Sequence, residues 1–516
     1  MCRVLWTIGI TVALTACVWL MYKTANRWVE SPVIIAMDET QRAVWQIPFP
    51  AVTVCPQAKI NGFLNLTDFI NKFNEGLLTK DQKELLAQVQ TPCKIPLIID
   101  NNNEINESNP TTAIEDHALD LQEVVKAAYL QSQDAMFEPI LTEEGLCYSF
   151  NMMPAAEFFR EGTFHAAREK YLKYNISKVQ WDPTRGYDDG IDEKAYPLRA
   201  LGAGKEPGFQ VHLHTKTKFL HSVCNFMGQG YQVLLHSPIE FPQLGKQSIY
   251  VPLDSVVQIS LTPSEIRTNE QLRRSYTTSQ RQCYFPDEKY LMYFKHYTQS
   301  NCELECLSNL TWTGCGCVEF YMPRKPDTPV CGMNKKLCVK GKAAFLNEIT
   351  AGVWKRENPE KKSGNKADHP CGCLPSCMEI QYHNDKSRTE LDLELMNRYL
   401  KQERPSSTEE DNDSRNRSII FIYFKHSHYI PIRRIEVFGT TDLLASLGGV
   451  MGLCMGISLL SVIEFFYWML VRPWCQQIKQ KDPLLRSIKK NSRTQNADAA
   501  VQYSRYMEDD AAKSQR

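Results

Sequence analysis

The sequence predicts an α+β membrane protein in which two transmembrane helices enclose a large disulfide-rich domain, built on a central β-sheet with peripheral helices. Three observations support this fold class. A long apolar stretch lies near each end of the 516 residues, the region between them is polar, and 14 of the 18 cysteines fall in that polar region. An even number of cysteines in such a region is typical of a domain that matures in an oxidising compartment.

Both apolar stretches have the length of membrane-spanning helices. Residues 4–22 form an uncharged run, and a span needs roughly 20 apolar residues. Residues 443–471 contain a single charged residue, Glu464, and a straight helix of that length would exceed the hydrocarbon core of ~30 Å. We therefore expect a tilt or a break in the second span. The predicted spans are residues 4–24 and 439–471.

The first apolar stretch also fits a secretory signal, because it is N-terminal, follows Arg3 and contains the small residues Ala13 and Ala16. Its removal would leave a single-pass, cysteine-rich receptor or adhesion protein. Residues 14–17 resemble a bacterial lipoprotein cleavage box, although a lipid anchor there fits poorly with a second apolar stretch near the C-terminus. N-terminal sequencing of the mature protein separates these alternatives.

Glycosylation sequons indicate that the polar region lies outside the cell. They occur at Asn65, Asn106, Asn175, Asn309, Asn412 and Asn416. Basic residues follow the second span, as is usual for a cytoplasmic flank, whereas basic residues lie on both sides of the first span. We expect a plasma-membrane protein with residues 25–438 extracellular and with residues 1–3 and 472–516 cytoplasmic. A formal net charge of zero argues against a nucleic-acid partner.

Local patterns predict the elements of the extracellular region. Residues 45–55 are β-rich and punctuated by prolines, which indicates an edge strand, and alternation across residues 209–262 predicts the central sheet. Apolar spacing predicts helices at residues 77–89, 118–129 and 388–404. A lysine-rich insert at 335–368 is expected to be a loop. Strands are expected at residues 418–424 and 435–438, and disorder after residue 473.

Ten cysteines cluster between residues 283 and 377. Cys-x-Cys pairs can bind zinc, but no Cys-x2-Cys pair occurs, and the sequons indicate an oxidising lumen, so disulfides are favoured. Each disulfide typically contributes ~2 to 4 kcal/mol, and a stack of five would form a rigid rod or lever. His212 and His214 share one strand face, but two ligands without a third predict a solvated face. No metal or cofactor is expected.

Glycines and serines interrupt the second apolar stretch. They are Gly448, Gly449, Gly452, Gly456, Ser458 and Ser461. This pattern fits close helix packing in an oligomer, or a pore helix that breaks near residues 456–458 so that freed carbonyls and a hydroxyl line water. A carboxylate in the membrane costs roughly 2.5 kcal/mol unless it faces water or a partner. Glu464 therefore favours the pore, although the sequence also permits a structural oligomer in which Glu464 lies near the membrane interface and snorkels.

The motifs of common enzyme classes are absent from the sequence. It contains no His-Glu-x-x-His and no Gly-x-Ser-x-Gly, and residues 202–205 lack the glycine spacing of a phosphate-binding loop. We expect that the protein is not an enzyme.

Several of these segments together resemble the degenerin and epithelial sodium channel family, and more closely its insect pickpocket branch. They are the entry motif at residues 49–55, Gly-Leu-Cys-Tyr-Ser-Phe-Asn at 145–151, Gly-Tyr-Gln-Val-Leu-Leu-His-Ser at 230–237, the cysteine cluster, and Gly-Ile-Ser at 456–458. The match covers nearly the whole chain. It implies an acid-sensing-channel-like homo- or heterotrimer with other subunits of the family, embedded in membrane lipid, passing Na+ and opened by an unidentified extracellular ligand or stimulus.

The resemblance also implies seven disulfides. They are Cys55 to Cys147, Cys93 to Cys224, Cys283 to Cys377, Cys302 to Cys373, Cys306 to Cys371, Cys315 to Cys338 and Cys317 to Cys331. In this family the braced cysteine region forms a thumb that couples extracellular events to the pore. A rigid thumb next to the sheet is therefore expected.

Roles for pore residues follow from the same resemblance. Gly456, Ile457 and Ser458 match the selectivity filter. Ala445, Ser446 and Gly449 match gate positions, Gly452 matches the position of amiloride block, and Glu464 matches an acidic position of the inner pore. Ser446 replaces an aspartate of acid-sensing relatives, and Ile457 is bulkier than the usual filter residue. The family's cytoplasmic His-Gly motif has no room before the first span, which indicates a truncated N-terminus and allows a non-conducting regulatory subunit.

Overall fold

A computed structural model gives the architecture of the chain. It describes residues 2–30, 33–59, 66–93, 114, 118–131, 133–165, 179–188, 190, 195–220, 228–351, 371–392, 394–395, 398, 416–436, 439–456, 459–474 and 501–502. These residues form two compact units. One contains Met1–Pro32 together with Glu436–Arg516, and the other is Val33–Ile435.

The helices and strands are numbered here in chain order. The helices are α1 Cys2–Glu30, α2 Leu66–Asn74, α3 Lys80–Cys93, α4 Leu121–Val124, α5 Ala155–Phe158, α6 Glu270–Ser275, α7 Thr278–Arg281, α8 Gln299–Cys315, α9 Lys336–Thr350, α10 Thr440–Met455 and α11 Leu459–Phe466. The strands are β1 Val33–Met37, β2 Arg42–Ala43, β3 Ala51–Pro56, β4 Val125–Leu130, β5 Gln133–Asp134, β6 Phe137–Thr142, β7 Gly145–Phe150, β8 Trp181–Asp182, β9 Gly186–Tyr187, β10 Phe209–His214, β11 Gly230–His236, β12 Ile249–Pro252, β13 Ser255–Thr268, β14 Glu379–Glu390, β15 Arg417–Phe424, β16 His428–Tyr429 and β17 Ile432–Glu436.

The larger sheet is organised around the long strand β13. Among the described residues it has eight strands in the order β1-β17-β13-β15-β10-β4-β5, with β14 also paired to β13. The first half of β13 runs parallel to β15 and its last three residues run parallel to β17, while β14 is antiparallel to nearly its whole length. Alternate residues of β13 are buried, which is the pattern of a strand with one face on the core.

A second sheet has the order β12-β11-β3-β7-β6, and its neighbouring strands are antiparallel. Strand β11 begins at Gly230, whose φ is +139° and whose added Cβ would lie 2.2 Å from the carbonyl oxygen of Val251. Only glycine fits that close approach to β12. After β7, the buried side chain of Asn151 donates to the carbonyl of Phe49 at 2.7 Å and accepts from the amide of Leu198 at 2.6 Å.

Aromatic side chains fill the two largest cores of this unit. In the first, the rings of Phe150 and Phe209 stack with centroids 4.5 Å apart and join one sheet to the other. In the second, Phe158, Phe159 and Phe294 pack edge to face and tilted near the disulfide cysteine Cys302. Burial of this kind contributes roughly 25 cal/mol per Å² of apolar surface, so these rings dominate the packing.

Several expected elements differ from the structure. Strand β3, expected at an edge, lies in the middle of its sheet with all six residues buried, because β11 and β7 pair with its two sides. Strands are confirmed within 209–262, but they belong to two sheets and not to one. Of the helix expected at 118–129, residues 121–124 are helical and residues 125–129 belong to strand β4, which pairs with β10.

Two further expectations concern the second half of the unit. The insert expected to be a loop begins with helix α9, whose buried residues Val339, Leu346 and Ile349 recur at helical spacing. The start of the helix expected at 388–404 is the end of strand β14. Helix α3 and strand β15 agree with expectation, and the chain after residue 473 lies almost entirely outside the described residues.

Candidate ion-conducting site

Helix α1 has the composition of a membrane span. Within the part of the chain that the structure describes, its segment Thr7–Arg27 is the one helix long and apolar enough to cross a bilayer. Its threonine hydroxyls donate to main-chain carbonyls one turn back, as in Thr11 to Ile8 at 2.9 Å and Thr24 to Leu20 at 2.9 Å. These bonds satisfy the hydroxyls without water, which suits a lipid environment.

Helix α10 packs against α1 along one face. Its half-buried residues Leu443, Leu447, Val450 and Cys454 recur at positions i, i+4, i+7 and i+11, which is one side of a helix. Cys454 meets the buried thiol of Cys17 in a side-chain hydrogen bond. This stripe is therefore the face of α10 that contacts α1 within the subunit.

Three of the four expected gate and blocker positions, Ala445, Gly449 and Gly452, lie on the opposite face of α10. Ala445, Gly449, Gly452 and Gly456 follow the same i, i+4, i+7 and i+11 spacing, half a turn away from the stripe that meets α1, and all four are exposed in the single subunit. Ser446 is half-buried beside them. A Cβ added at Gly449 or Gly456 would meet no atom within 4 Å, so contacts inside the subunit do not require glycine there.

The second apolar stretch is broken at the expected filter. Helix α10 ends at Met455, and Gly456 follows in the left-handed conformation with φ +66° and ψ 16°. Its amide donates to the carbonyl of Gly452 at 2.9 Å, which closes the last turn. Helix α11 resumes at Leu459, while Ile457 and Ser458 lie outside the described residues. Gly456 is therefore the C-cap of α10.

Glu464 lies on α11 and is exposed in the single subunit. No basic side chain among the described residues forms an ion pair with it. The surrounding residues 463–471 are large and apolar and mostly more than half exposed, and they end where the guanidinium of Arg472 stacks 3.6 Å from the ring centre of Trp468. An aromatic and basic cluster after an apolar segment is typical of a membrane interface. The carboxylate is thus a lone charge in an apolar segment.

Among its described residues, six disulfides brace the other unit. They are Cys55–Cys147, Cys283–Cys377, Cys302–Cys373, Cys306–Cys371, Cys315–Cys338 and Cys317–Cys331, the same pairs that the resemblance implies. Helix α8 supplies three of the cysteines and packs on α9. Cys93 is buried at the end of α3, and Cys224 lies outside the described residues. The cysteine cluster is a cross-linked helical layer.

The remaining expected sites are partly described. Asn309 is exposed on α8, and Asn416 is half-buried with its amide donating to the hydroxyl of Thr217 at 2.9 Å. The other four sequon asparagines lie outside the described residues: Asn65, Asn106, Asn175 and Asn412. Within the described ranges, no group of three metal-binding side chains comes together, and His212 lies beside the side chain of Gln210 at 2.6 Å.

A pair of thiols and a group of arginines were not predicted as sites from the sequence. The pair of thiols at Cys17 and Cys454 joins the two apolar segments, and a group of arginines that includes Arg434 lines a cleft in the disulfide-rich unit. Neither group could be predicted from the sequence, because the two thiols and the arginines come from distant segments that only folding brings together.

The comparison with known families decides the identity. A sequence model described as "Amiloride-sensitive sodium channel" matches residues 1–468. The chain belongs to the amiloride-sensitive sodium channel family. This family includes the degenerins and epithelial sodium channels, so the resemblance found in the sequence is confirmed. Because its members are ion channels and not enzymes, the chain is a cation-channel subunit.

Relatives of the chain come from this family. Pickpocket protein 28 of Drosophila melanogaster is 25% identical over 494 residues, covering 92% of this chain and 75% of the relative. Pickpocket protein 11 of the same species is 23% identical, covering 94% and 74%. Acid-sensing ion channel 4-B of Danio rerio is 22% identical, covering 90% and 70%. The similarity therefore extends through both units of the chain.

Proposed function

We propose that the chain is a subunit of a sodium-selective channel that spans the plasma membrane twice, at residues 4–24 and 439–471. Residues 25–438 lie outside the cell, and residues 1–3 and 472–516 lie in the cytoplasm. The observation that carries the proposal is the helix break at Gly456, on the face of α10 that points away from α1. Backbone that leaves helical form within a membrane needs protein or water to satisfy it.

The break supplies the chemistry of a selectivity filter. Carbonyl groups freed at the end of α10, with the filter residues Gly456, Ile457 and Ser458, would replace part of the hydration shell of Na+. Glu464, one and a half helical turns beyond the start of α11, would add one carboxylate for each subunit. A ring of such carboxylates concentrates cations and offsets the cost of placing this charge in the membrane.

A trimer accounts for the face of α10 that the single subunit leaves exposed. Three copies that turn Ala445, Gly449 and Gly452 toward a common axis would enclose a pore, and the small side chains would let the helices approach closely. In this arrangement Ala445, Ser446 and Gly449 form the gate, and Gly452 lies at the site of block by amiloride. The partner subunits are further copies of this chain or other members of the family.

Gating by an extracellular cue is the second part of the proposal. The layer of α8 and α9 is cross-linked by disulfides, so it would move as a rigid lever when a ligand or stimulus acts on the extracellular domain. In the chain, strand β17 is followed by α10 after a connection of three residues. A displacement of the sheet would therefore be transmitted along the backbone to the pore helix.

Recording from oocytes that express the chain tests the filter. We expect an amiloride-sensitive current that reverses near the Na+ equilibrium potential, and a fall of about tenfold in the Na+ to K+ permeability ratio in Ser458→Phe, equivalent to ~1.4 kcal/mol. The matched control is Leu460→Phe, at a position that is 70% exposed on α11, whose ratio should stay unchanged.

Two outcomes would change the proposal. An unaltered permeability ratio in a conducting Ser458→Phe channel contradicts the assignment of the filter. Absence of current from the chain alone, with altered current when it is expressed with a pickpocket-type partner, would make it a non-conducting regulatory subunit.

A further inference from the structure

A cleft of about 710 Å³ lies within the disulfide-rich unit, beside strand β17. It is bordered by the connection from β1 to β2, by the end of β13 and by β17 itself, and Arg433 of β17 is paired in register with Arg267 of β13. Its volume is in the range of sites that bind small molecules, roughly 300 to 1,000 Å³. All of its lining residues belong to the disulfide-rich unit.

Positive charge dominates the lining of the cleft. Five arginines line it, namely Arg42, Arg185, Arg267, Arg433 and Arg434, against the two carboxylates of Asp38 and Glu270. Asp38 forms an ion pair with Arg433, whose Nε lies 2.6 Å from Oδ2 of the carboxylate. Glu265, which does not line the cleft, forms ion pairs with Arg42 at 3.0 Å and with Arg267 at 3.8 Å. Arg185 lies 4.0 Å from Asp182, which is also outside the lining, so Arg434 is the lining arginine that has no ion pair among the described residues.

Arg434 is the one buried arginine of this group. The residue is only 6% exposed, and its Nη1 atom is buried with no hydrogen-bond acceptor among the described residues. Burial lowers the pKa of its guanidinium below the ordinary value, the carboxylate of Glu379 acts in the opposite direction, and Arg281 lowers it further. A buried guanidinium nitrogen without an acceptor is costly, and an oxyanion is a group that would remove this cost.

We propose that this cleft binds a small soluble anion that carries two or more carboxylate or phosphate groups, with Arg434 as the buried anchor and Arg267 and Arg433 at the mouth. The planar fork of an arginine matches the two oxygens of a carboxylate or phosphate. The parallel pairing of β13 and β17 places Arg267 and Arg433 opposite each other, where a bridging anion would relieve the repulsion of like charges. This binding goes beyond the proposed conduction of sodium.

Binding of citrate and of pyrophosphate to the purified full chain tests the site. Each probe is titrated into the detergent-solubilised protein at constant ionic strength, and heat of binding and thermal midpoint are measured. We expect saturable binding of at least one probe, with a rise in the thermal midpoint. In Arg434→Met the affinity should fall by at least about tenfold, and in Arg434→Lys by a smaller factor, since the charge remains and the fork is lost.

The control is Arg388→Met, which makes the same substitution at an exposed arginine of β14 outside the cleft. Its affinity for the probes should stay within about twofold of the natural chain. Binding of citrate alone identifies a carboxylate site and binding of pyrophosphate alone a phosphate site. Equal binding by the natural chain and Arg434→Met overturns the proposal, as does failure of both probes to saturate. If Arg434→Met does not fold, unchanged affinity in Arg434→Lys is the contradicting result.

Discussion

Gly456 ends helix α10 because its backbone takes a left-handed conformation that other residues adopt at a cost of roughly 1 kcal/mol. No side chain crowds the position, so its conformation and not its size explains the glycine. The same reasoning separates it from Gly230, where the approach of a neighbouring strand excludes any Cβ. Glycine is therefore required at these two positions for different structural reasons.

His165 gives the extracellular domain a dependence on pH. Its ring is buried, stacks on Phe159 and lies 3.2 Å from the carbonyl of Leu141. Burial lowers its pKa to about 4, and the nearby charge of Arg324 acts in the same direction. The folded state therefore holds a neutral ring, and the stabilisation is complete above a pH of ~6.5, the pKa in the unfolded chain.

We predict that the free energy of unfolding falls by about 2 kcal/mol between pH 7 and pH 5 through His165 alone, because only the unfolded chain takes up a proton in that range. His165→Gln should remove this part of the loss. Thermal unfolding of both proteins at the two pH values measures it, with His383→Gln on an exposed strand as the control. Parallel pH dependence in the natural chain and His165→Gln would contradict the prediction.

Some residue-level features could be predicted from the sequence. Glycine spacing and Glu464 pointed to the broken span, and the resemblance gave the six disulfide pairs that the structure forms. The arginines of the cleft were not predicted, because nothing in the sequence distinguishes them from other charged residues. Arg434 differs only because folding buries it. Burial without a partner is a property of the fold and leaves no local pattern.

Among the elements, helix α8 has the clearest limits. Its N-cap is Thr298, whose hydroxyl accepts from the amide of Asn301 at 3.0 Å, and its end is Gly316 in the left-handed conformation. Between these limits Cys302, Cys306 and Cys315 lie three or more residues apart and cross-link the helix to later parts of the chain. The helix is thus fixed at both ends and along its length.

We predict that removing different disulfides of α8 lowers the free energy of unfolding by different amounts. Cys302–Cys373 closes a separation of 71 residues and Cys302 is in the aromatic core, so replacing both cysteines by alanine is expected to cost about 4 kcal/mol. Cys315–Cys338 closes 23 residues and Cys338 is only half-buried, so its loss is expected to cost about 3 kcal/mol or less. Thermal unfolding of the two double variants gives the order, and the reverse order would be inconsistent with this account.

The elements that the sequence missed share a physical cause. Residues 125–130 have helical spacing but pair with β10 and β5, so tertiary pairing overrides local preference. In α9, lysines interrupt the apolar pattern of the sequence, so the short apolar stripe by which the helix packs was not recognised. Alternation predicted the strands of 209–262 correctly, but it carries no information on partners, and β11 pairs with β3, which lies almost 200 residues earlier.

At the scale of the whole molecule, the chain divides into a unit with the two apolar segments and a disulfide-rich unit, and its family similarity extends through both. The two faces of α10 have different roles in the proposed channel. One face is used inside the subunit against α1, and the other carries the small residues and is left exposed. We propose that assembly of three subunits covers this second face and forms the pore.

Cysteine accessibility tests this arrangement most directly. In a Cys454→Ser background, Gly449→Cys and Gly452→Cys would carry thiols on the exposed face, and Leu447→Cys and Val450→Cys on the face that meets α1. A charged, membrane-impermeant thiol reagent is applied from outside while the sodium current is recorded. We expect loss of current at the two glycine positions and none at the two controls. Equal modification of all four positions, or modification of the controls alone, would contradict a pore lined by this face of α10.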